Sequence, residues 1–386
     1  MRGMSIFRRC SSFVALALAV GLLGGCSTSS SPPSSSPPDA GGSGDASVAY
    51  DFSALHNELF GGSWQTEGVV VLHNGQIVYE EYAAGFMPTM RHITYSVSKS
   101  IGSALAGIAV DQGLFKLSDS VCTYVPAPMG ADPKFCDTTV EHVLRMSSGL
   151  KWIEDYGADP QASNVLQMLY GNQSDMGGYV ATQPRAAPAG SVWNYSSGDA
   201  NLLARVLRAA LKGQDSRAWA KSKLFDPAGL SSAVFEEDRS GTLVFSSSCF
   251  MTPRDMAKFG QLYLDDGMSG GTRVLPMGWV AYTTTPAPPV AQPTPRVPDA
   301  GPGNSGGSYG AAFWLNAATP TASADTLLYP QAPVDAYSAE GHYGQKIFIV
   351  PSRHLVVARV GNDRNPLFDP GPMVGKAVAA IDAAGG

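Results

Sequence analysis

The tetrapeptide Ser96-Val97-Ser98-Lys99 places a serine hydroxyl and a lysine amine three residues apart. It opens the segment SKSIGSALAGIAVDQGL, which is apolar on nearly all sides and predicts a central, buried helix that ends near Gly113. Side chains three apart on a helix share one face, so the Lys99 amine can reach the Ser96 oxygen. Partial burial would lower the pKa of Lys99 and make it a base near neutral pH. This pattern predicts a serine nucleophile with a lysine base.

The same spacing recurs at Ser148-Gly149-Leu150-Lys151. That copy contains a helix-stopping glycine and precedes no apolar helix, so we predict no catalysis from it. The pattern G-x-S-x-G also occurs, at Gly303–Gly307, but no strand precedes it and no helix follows. We therefore do not predict an α/β-hydrolase.

Two more motifs follow the first in a structured context. Tyr195, in WNYSSG, precedes the amphipathic helix predicted for DANLLARVLRAALKG, and Gly341-His342-Tyr343-Gly344-Gln345 leads into the strand KIFIV. Each motif alone is common, since Tyr170-Gly171-Asn172 and His73-Asn74-Gly75 match the same short patterns. The order of the three motifs, and their positions at the starts of elements, favour a shared site.

In this order the motifs resemble those of the penicillin-recognising serine hydrolases: class C β-lactamases, DD-peptidases and related esterases. The resemblance runs from about Glu67 to the C-terminus. It is strongest to the 6-aminohexanoate-dimer hydrolase group, through LRMSSGLKWIEDY, WNYSSGDANLLARVL and GHYGQKIFIVPSRHLVVARVGN. It implies that Ser96 is acylated, that Lys99 is the general base and that Tyr195 passes a proton to the leaving group.

The resemblance also implies the surroundings of the nucleophile. The backbone amides of Ser96 and Gln345 would form the oxyanion hole, and Gly344 would leave room for substrate beside the strand. The other implied substrate-binding residues are His342, Tyr156 and Trp314.

The implied function is an exported serine hydrolase that cleaves a small linear amide or carboxylic ester through an acyl-enzyme. The alternatives are a β-lactamase or D-alanyl-D-alanine carboxypeptidase and, in a different class, a non-catalytic peptidoglycan-binding lipoprotein. His342 stands where β-lactamases have lysine, and Ser197 where asparagine is commoner, which disfavours β-lactams. The intact set of Ser96, Lys99 and Tyr195 argues against loss of activity.

The N-terminus reads as an export signal. Three arginines precede an apolar run, residues 13–23, that is too short to cross a bilayer as a helix. Leu-Gly-Gly-Cys resembles the lipobox of bacterial lipoproteins, so we predict a signal peptide over residues 1–25 and a lipid on Cys26. Residues 26–48, rich in Ser, Pro and Gly, form a tether. The protein is therefore expected to be lipid-anchored to the cell envelope, at the outer membrane on its periplasmic or surface side.

Composition excludes several partners. The 386 residues carry a net charge of −6 and no Lys/Arg-rich run, so we expect no nucleic-acid binding. The histidines form no spaced cluster with cysteines or carboxylates, so no metal and no other cofactor is expected. Cys122 and Cys136 flank a Pro/Gly-rich loop and are predicted to form a disulfide in an exported protein, whereas Cys249 is expected to be buried. The sequence leaves the oligomeric state open.

The pattern of elements predicts an α+β fold over residues 49–386, with a mobile Pro/Gly-rich loop at about 285–310. Hairpins are predicted at Asn74-Gly75 and at KIFIV-PSRH-LVVARV. They would form one antiparallel sheet of N- and C-terminal strands, with a mostly helical region over it, as in the β-lactamase/DD-peptidase-like fold that the resemblance implies. Further helix signals are a Thr138–Glu141 capping box, Thr252-Pro253 and PMVGKAVAAIDAA.

Overall fold

The computed structural model describes residues 49–157, 159–289, 308–317 and 327–385. The predicted signal peptide, Cys26, the tether and residues 290–307 of the predicted loop lie outside the described residues.

In the described residues, the longer strands lie towards the two ends of the chain, and most of the helices lie between them. The helices are α1 Ser53–Phe60, α2 Val97–Asp111, α3 Val140–Leu144, α4 Asn164–Leu166, α5 Met176–Ala181, α6 Ser197–Ala210, α7 Ser216–Ala220, α8 Pro253–Leu264, α9 Trp279–Thr283 and α10 Gly371–Ala383. Short π-helical turns cover Gln167–Gly171 and Lys221–Phe225, and 3₁₀ turns cover Val121–Thr123, Phe135–Asp137, His342–Gly344 and Pro351–Arg353. The strands are β1 Thr66–His73, β2 Gln76–Tyr82, β3 His92–Ile93, β4 Val234–Phe235, β5 Cys249–Met251, β6 Met268–Ser269, β7 Thr272–Arg273, β8 Ser308–Tyr309, β9 Trp314–Leu315, β10 Tyr337–Gly341, β11 Gln345–Val350 and β12 Leu355–Gly361.

The main sheet joins both ends of the chain, as predicted. Its order in the described residues is β2-β1-β12-β11-β10-β9-β8. The N-terminal hairpin turns at Asn74 and Gly75, whose φ angles of 50° and 75° suit a tight two-residue turn. β1 then pairs antiparallel with β12, with Val70 opposite Ala358. The predicted fold class is confirmed.

Both faces of this sheet are buried, which explains its continuous apolar runs. Val69 and Val71 of β1 belong to the hydrophobic cluster formed with α1 and α10. Val70 and Leu72 belong to the larger cluster on the opposite face, which includes α2, α6 and α8. Alternate side chains of a strand point to opposite faces, so β1, β11 and β12 each contribute to two cores.

Helix α2 is buried from Val97 through Ala109, as its all-round apolar pattern predicted. Small residues let large neighbours approach it: a Cβ on Gly107 would lie 2.4 Å from the Trp279 ring. The Ser100 hydroxyl donates to the carbonyl of Ala312 at 2.6 Å, and the Ser103 hydroxyl to that of Ala311 at 3.0 Å. The helix that carries Lys99 is therefore held firmly on several sides.

Most helix signals are confirmed, with one shift. Thr252 caps α8 by accepting from the Asp255 amide, and α10 lies within one residue of its predicted start. The capping box is one residue later than predicted: Thr139 and His142 cap α3 reciprocally, and Glu141 accepts from Arg145 instead. Thr138 lies one residue before the N-cap, and its hydroxyl oxygen accepts from Arg185 instead of from an amide of α3.

Cys122 and Cys136 form the predicted disulfide, with an S–S distance of 2.04 Å, and Cys249 is buried. Within the described ranges, no helix combines the length and the hydropathy needed to span a bilayer.

Candidate active site

A strained turn presents Ser96. Tyr95, between β3 and α2, has φ 45°, a left-handed conformation that costs energy for a non-glycine residue and is often found at functional sites. The preceding Thr94 anchors the turn, since its amide donates to the Cys249 carbonyl at 2.8 Å. Ser96 then occupies the N-cap position of α2 and is only partly buried. A hydroxyl is thus held at the surface end of a rigid helix.

Lys99 is brought to Ser96 as predicted. Its Nζ lies 2.8 Å from Ser96 Oγ, and it also donates to Ser197 Oγ at 3.0 Å and to the Ser246 carbonyl at 2.8 Å. The side chain is 3% exposed. This burial lowers the pKa of Lys99 to about 8, against the opposing effect of the Glu154 carboxylate. A substantial fraction of Lys99 is therefore neutral near physiological pH.

Tyr195 stands on the other side of the same atoms. It lies just before Ser196, the N-cap of α6, and Lys99 Nζ is 4.9 Å from the centre of its ring. Burial and the nearby Glu154 raise the pKa of Tyr195, while a hydrogen bond with the Ser96 side chain acts in the opposite direction. The phenol keeps its proton at neutral pH. Ser96, Lys99 and Tyr195 are therefore all brought together.

Glu154 is the residue that sequence reasoning missed. It is 6% exposed and accepts four hydrogen bonds, from Trp152 Nε1, the Tyr156 hydroxyl and both the amide and the hydroxyl of Ser197. Ser197 Oγ lies 2.5 Å from Glu154 and also accepts from Lys99, so it connects the carboxylate to the amine. The only sequence signal was the acidic residue of the IEDY segment; nothing local shows that it is buried.

The predicted substrate-binding residues reach the site. Tyr156 packs 4.9 Å from the His342 ring, and Trp314 stacks on Tyr195 at 5.6 Å. Burial lowers the pKa of His342, with Lys99 and Arg364 acting in the same direction and Glu154 against them. The imidazole is therefore neutral at neutral pH.

The residue at the strand edge beside Ser96 is Gly341, whereas the sequence predicted that the Gln345 amide would lie there. Gly341, at the end of β10, lies against Ser96: a Cβ there would be 3.2 Å from the Ser96 nitrogen. Gln345 is fully buried, and its side-chain amide donates to the Gly361 carbonyl at 2.6 Å. Among the described residues, Gln345 lines neither of the two cavities that meet at Ser96.

Gly344 lines one of these cavities, but its missing side chain makes room for a different group. A Cβ at Gly344 would lie 2.2 Å from an Arg359 guanidinium nitrogen, and its φ is 89°. Arg359 is fully buried, donates to the Gly344 carbonyl and pairs with Asp363 at 2.7 Å. The glycine is therefore needed to seat this ion pair behind the turn, and its role in leaving room for substrate stays a prediction.

Two cavities meet at Ser96. One, of 610 Å³, is the more polar of the two and is bordered by segments 236–239 and 247–248 together with Arg364. The other, of 430 Å³, is mostly apolar and is bordered by Tyr195, Trp314, Leu367 and Phe368. Ser96, Tyr156, His342 and Tyr343 border both. We call them the polar cavity and the aromatic cavity.

In the part of the chain that the structure describes, no group of three or more His, Cys, Asp or Glu side chains is arranged to hold a metal ion.

The profile of the β-lactamase family matches residues 57–378. Among curated proteins, the 6-aminohexanoate-dimer hydrolase of Paenarthrobacter ureafaciens is 26% identical over 236 residues, which is 56% of this chain and 56% of that relative's length.

Solved structures give the same fold. A family VIII carboxylesterase superposes with a TM-score of 0.63 at 17% identity, covering 86% of this chain and 95% of the other. A D-stereospecific amidohydrolase from Streptomyces sp. gives 0.58 at 15% identity, covering 86% and 98%. This chain belongs to the β-lactamase family.

Proposed function

We propose that this protein is a serine hydrolase that cleaves linear amides or carboxylic esters through an acyl-enzyme on Ser96. The observation that carries the proposal is the 2.8 Å contact between Ser96 Oγ and a buried Lys99 whose pKa is about 8. A nucleophile beside a partly neutral base is the arrangement that acyl transfer requires.

In the first step, neutral Lys99 takes the proton of Ser96 Oγ while the oxygen bonds to the substrate carbonyl carbon. The carbonyl oxygen becomes an oxyanion. The Ser96 amide, at the start of α2, is a suitable donor, because no backbone carbonyl of the described residues accepts from it. We place the second donor at the amide of His342, since the chain turns there directly after Gly341, the residue against the Ser96 nitrogen.

In the second step, the bond to the leaving group breaks and that group takes a proton from the Tyr195 hydroxyl. The Lys99 ammonium restores the proton to Tyr195. Water then attacks the ester carbon of acyl-Ser96 while neutral Lys99 takes one of its protons. The bond between that carbon and Ser96 Oγ breaks, the carboxylic acid leaves, and the proton passes from Lys99 to Ser96 Oγ. Glu154 stabilises the ammonium form of Lys99 between these steps, through Ser197.

Esters and linear amides should be better substrates than β-lactams. A β-lactam carries a carboxylate next to its ring, and a lysine would bind it through a charge-assisted hydrogen bond. Neutral His342 offers a hydrogen bond of about 0.5–1.5 kcal/mol where a charged group would contribute about 1.5–3 kcal/mol. The difference corresponds to about tenfold in binding.

A substrate panel tests the proposal. Wild type and His342→Lys are compared on nitrophenyl esters, linear oligoamides and a chromogenic cephalosporin. Fluorophosphonate labelling shows in parallel whether a reactive serine is present. We expect ester or amide turnover to dominate in wild type, and His342→Lys to raise cephalosporin turnover relative to ester turnover. Cephalosporin hydrolysis faster than that of every ester and amide would instead identify a β-lactamase. Absence of both labelling and turnover would favour a binding protein.

We also propose that the protein is exported and anchored by a lipid on Cys26. The supporting features are the short apolar run, the Leu-Gly-Gly-Cys sequence and the Ser/Pro-rich segment that follows. Membrane fractionation of wild type and Cys26→Ser tests this. A variant that stays in the membrane fraction as fully as wild type would contradict the anchor.

A further inference from the structure

The two cavities at Ser96 differ in chemistry, and we propose that they divide the substrate: the leaving group binds in the aromatic cavity and the acyl group in the polar cavity. This inference rests on the proposed function and adds the orientation and chemical class of the substrate.

The position of the proton donor sets the orientation. A leaving group must lie within hydrogen-bond reach of the group that protonates it. Tyr195 borders the aromatic cavity and does not border the polar one, while Ser96 borders both. The bond that breaks therefore points from Ser96 into the aromatic cavity, and the acyl group extends the other way.

The aromatic cavity suits an apolar alcohol or amine. Trp314, stacked on Tyr195, and Phe368 provide ring faces, and Leu367 is 65% exposed at the border. The carboxylates on its wall are already bonded: Glu154 to Ser197, Glu340 to Lys346 and Asp155 to the Gly157 amide. An apolar leaving group would cover these surfaces without leaving charges unpaired.

The polar cavity suits an acyl group that carries an anion. Arg364 lies 4.9 Å from the centre of the Tyr343 ring and donates to the side chain of Asn362. Among the described residues, no carboxylate lies within 4.0 Å of the Arg364 guanidinium.

The acidic groups on this wall are mostly occupied. Glu237 pairs with Arg217 at 3.3 Å, and Asp238 accepts from the Met176, Ser240 and Thr242 amides. Glu236 is exposed. Arg239 also borders this cavity, but Arg364 lies over the ring of Tyr343, which borders both cavities together with Ser96. The guanidinium of Arg364 is therefore the group most suited to bind a substrate carboxylate next to the reacting carbonyl.

The test uses four esters that vary one half at a time: methyl butyrate, benzyl butyrate, monomethyl succinate and monobenzyl succinate. The measured quantity is kcat/KM, because it covers the steps up to acylation, in which the alcohol is still part of the substrate. Deacylation comes after the alcohol has left. Wild type should prefer benzyl to methyl, and succinyl to butyryl.

The variants separate the two halves. Trp314→Leu should reduce the benzyl preference by about tenfold and leave the acyl preference unchanged. Leu367→Ala, at an exposed side chain, should reduce the same preference less without affecting folding. Arg364→Gln should reduce the succinyl preference by about tenfold and leave the alcohol preference unchanged. Lys151→Gln, which removes an exposed cation that borders neither cavity, is the matched control and should change neither.

The opposite pattern, with Arg364→Gln changing the alcohol preference and the two aromatic-cavity variants changing the acyl preference, would overturn the orientation. If the esters are hydrolysed but no variant alters either preference, the division of the substrate between the two cavities is wrong, while the proposed hydrolase function stands. Absence of hydrolysis of all four esters, with no fluorophosphonate labelling, would overturn both the proposed function and this inference.

Discussion

The S-x-x-K spacing occurs twice in this chain, and the two copies adopt different structures. Ser96 and Lys99 begin a buried helix, and their side chains meet at 2.8 Å. Ser148 and Lys151 lie in a non-helical segment in which Gly149 has φ 77°, and Lys151 is exposed. A serine and a lysine at matching spacing meet only where a helix turns both side chains to one face, and the amine loses water only where the surrounding fold covers it.

The second copy has a structural role. The Ser148 hydroxyl donates to Asp199 at 2.7 Å, and Arg185 binds the Ser148 carbonyl at 3.0 Å. Burial raises the pKa of Asp199 to about 7, although both hydrogen bonds from Ser148 lower it. One copy therefore places an amine where its proton is weakly held, and the other supplies hydrogen bonds to a buried carboxyl group.

The largest contrast is expected in activity. Ser96→Ala should lower ester or amide hydrolysis by at least about a thousandfold, because the acyl-enzyme cannot form. Its stability should stay within about 0.5 kcal/mol of wild type, since the hydroxyl is partly exposed. Ser148→Ala, assayed on the folded protein, should keep nearly full activity. Turnover by purified Ser96→Ala at the wild-type rate would remove Ser96 from the site.

The disulfide is expected to support the second region only. Arg185 also donates to the Lys134 carbonyl, inside the loop that Cys122 and Cys136 close. Replacing both cysteines by serine should lower the free energy of unfolding by about 3 kcal/mol, the value for a loop of this length. Denaturant unfolding measures this, with reduced wild type as the comparison. The pH midpoint of hydrolysis should not move; a shift would show that the two regions are coupled.

Ser148→Ala should destabilise the protein in a pH-dependent way. The pKa of Asp199 is raised in the folded state, so the folded protein binds this proton more tightly and loses stability as the pH rises from about 4 to about 7. Removing the Ser148 hydroxyl raises the pKa of Asp199 further. We expect a loss of about 1–3 kcal/mol at pH 8 and a smaller loss at pH 5.

The neighbouring Ser147→Ala is the matched control for this effect. The Ser147 hydroxyl donates to the His142 carbonyl, so its removal should cost the same at both pH values. A loss for Ser148→Ala that is equal at pH 5 and pH 8 would contradict the assigned role of Asp199.

The smallest expected effect is at Glu154. Hydrolysis should rise with pH through about 8 as Lys99 loses its proton. Glu154 raises the pKa of Lys99, so Glu154→Gln should move this rising limb of the pH–rate profile to lower pH. The rate at pH 6, relative to the plateau, should rise by up to about tenfold, the factor for one pH unit.

A pH–rate profile of kcat/KM measures this shift. Glu141→Gln, which removes a carboxylate paired with Arg145 outside the site, is the control and should leave the limb in place. A limb that moves to higher pH in Glu154→Gln would refute the electrostatic role of Glu154.

Local sequence patterns predicted the parts of this protein that depend on near neighbours. The all-round apolar run predicted that α2 is central, and Asn74-Gly75 predicted the first hairpin. The resemblance of the ordered motifs to a known family implied that the side chains of Ser96, Lys99 and Tyr195 meet. The capping box was predicted one residue too early, because Thr138 and Thr139 are adjacent and either could cap a helix. The residue at which the loop before α3 becomes helical decides between them.

The tertiary structure alone decided the electrostatics of the site and the shape around it. Lys99 and Ser197 are 98 residues apart and Ser197 and Glu154 are 43 apart, so no local pattern joins them. Local patterns also do not show that Gly341, and not Gly344, lies against Ser96, or that two cavities with different walls meet there. Periodicity and motifs report contacts within a few residues, whereas desolvation, and hence the pKa of Lys99, depends on which distant segments pack around the amine and exclude water.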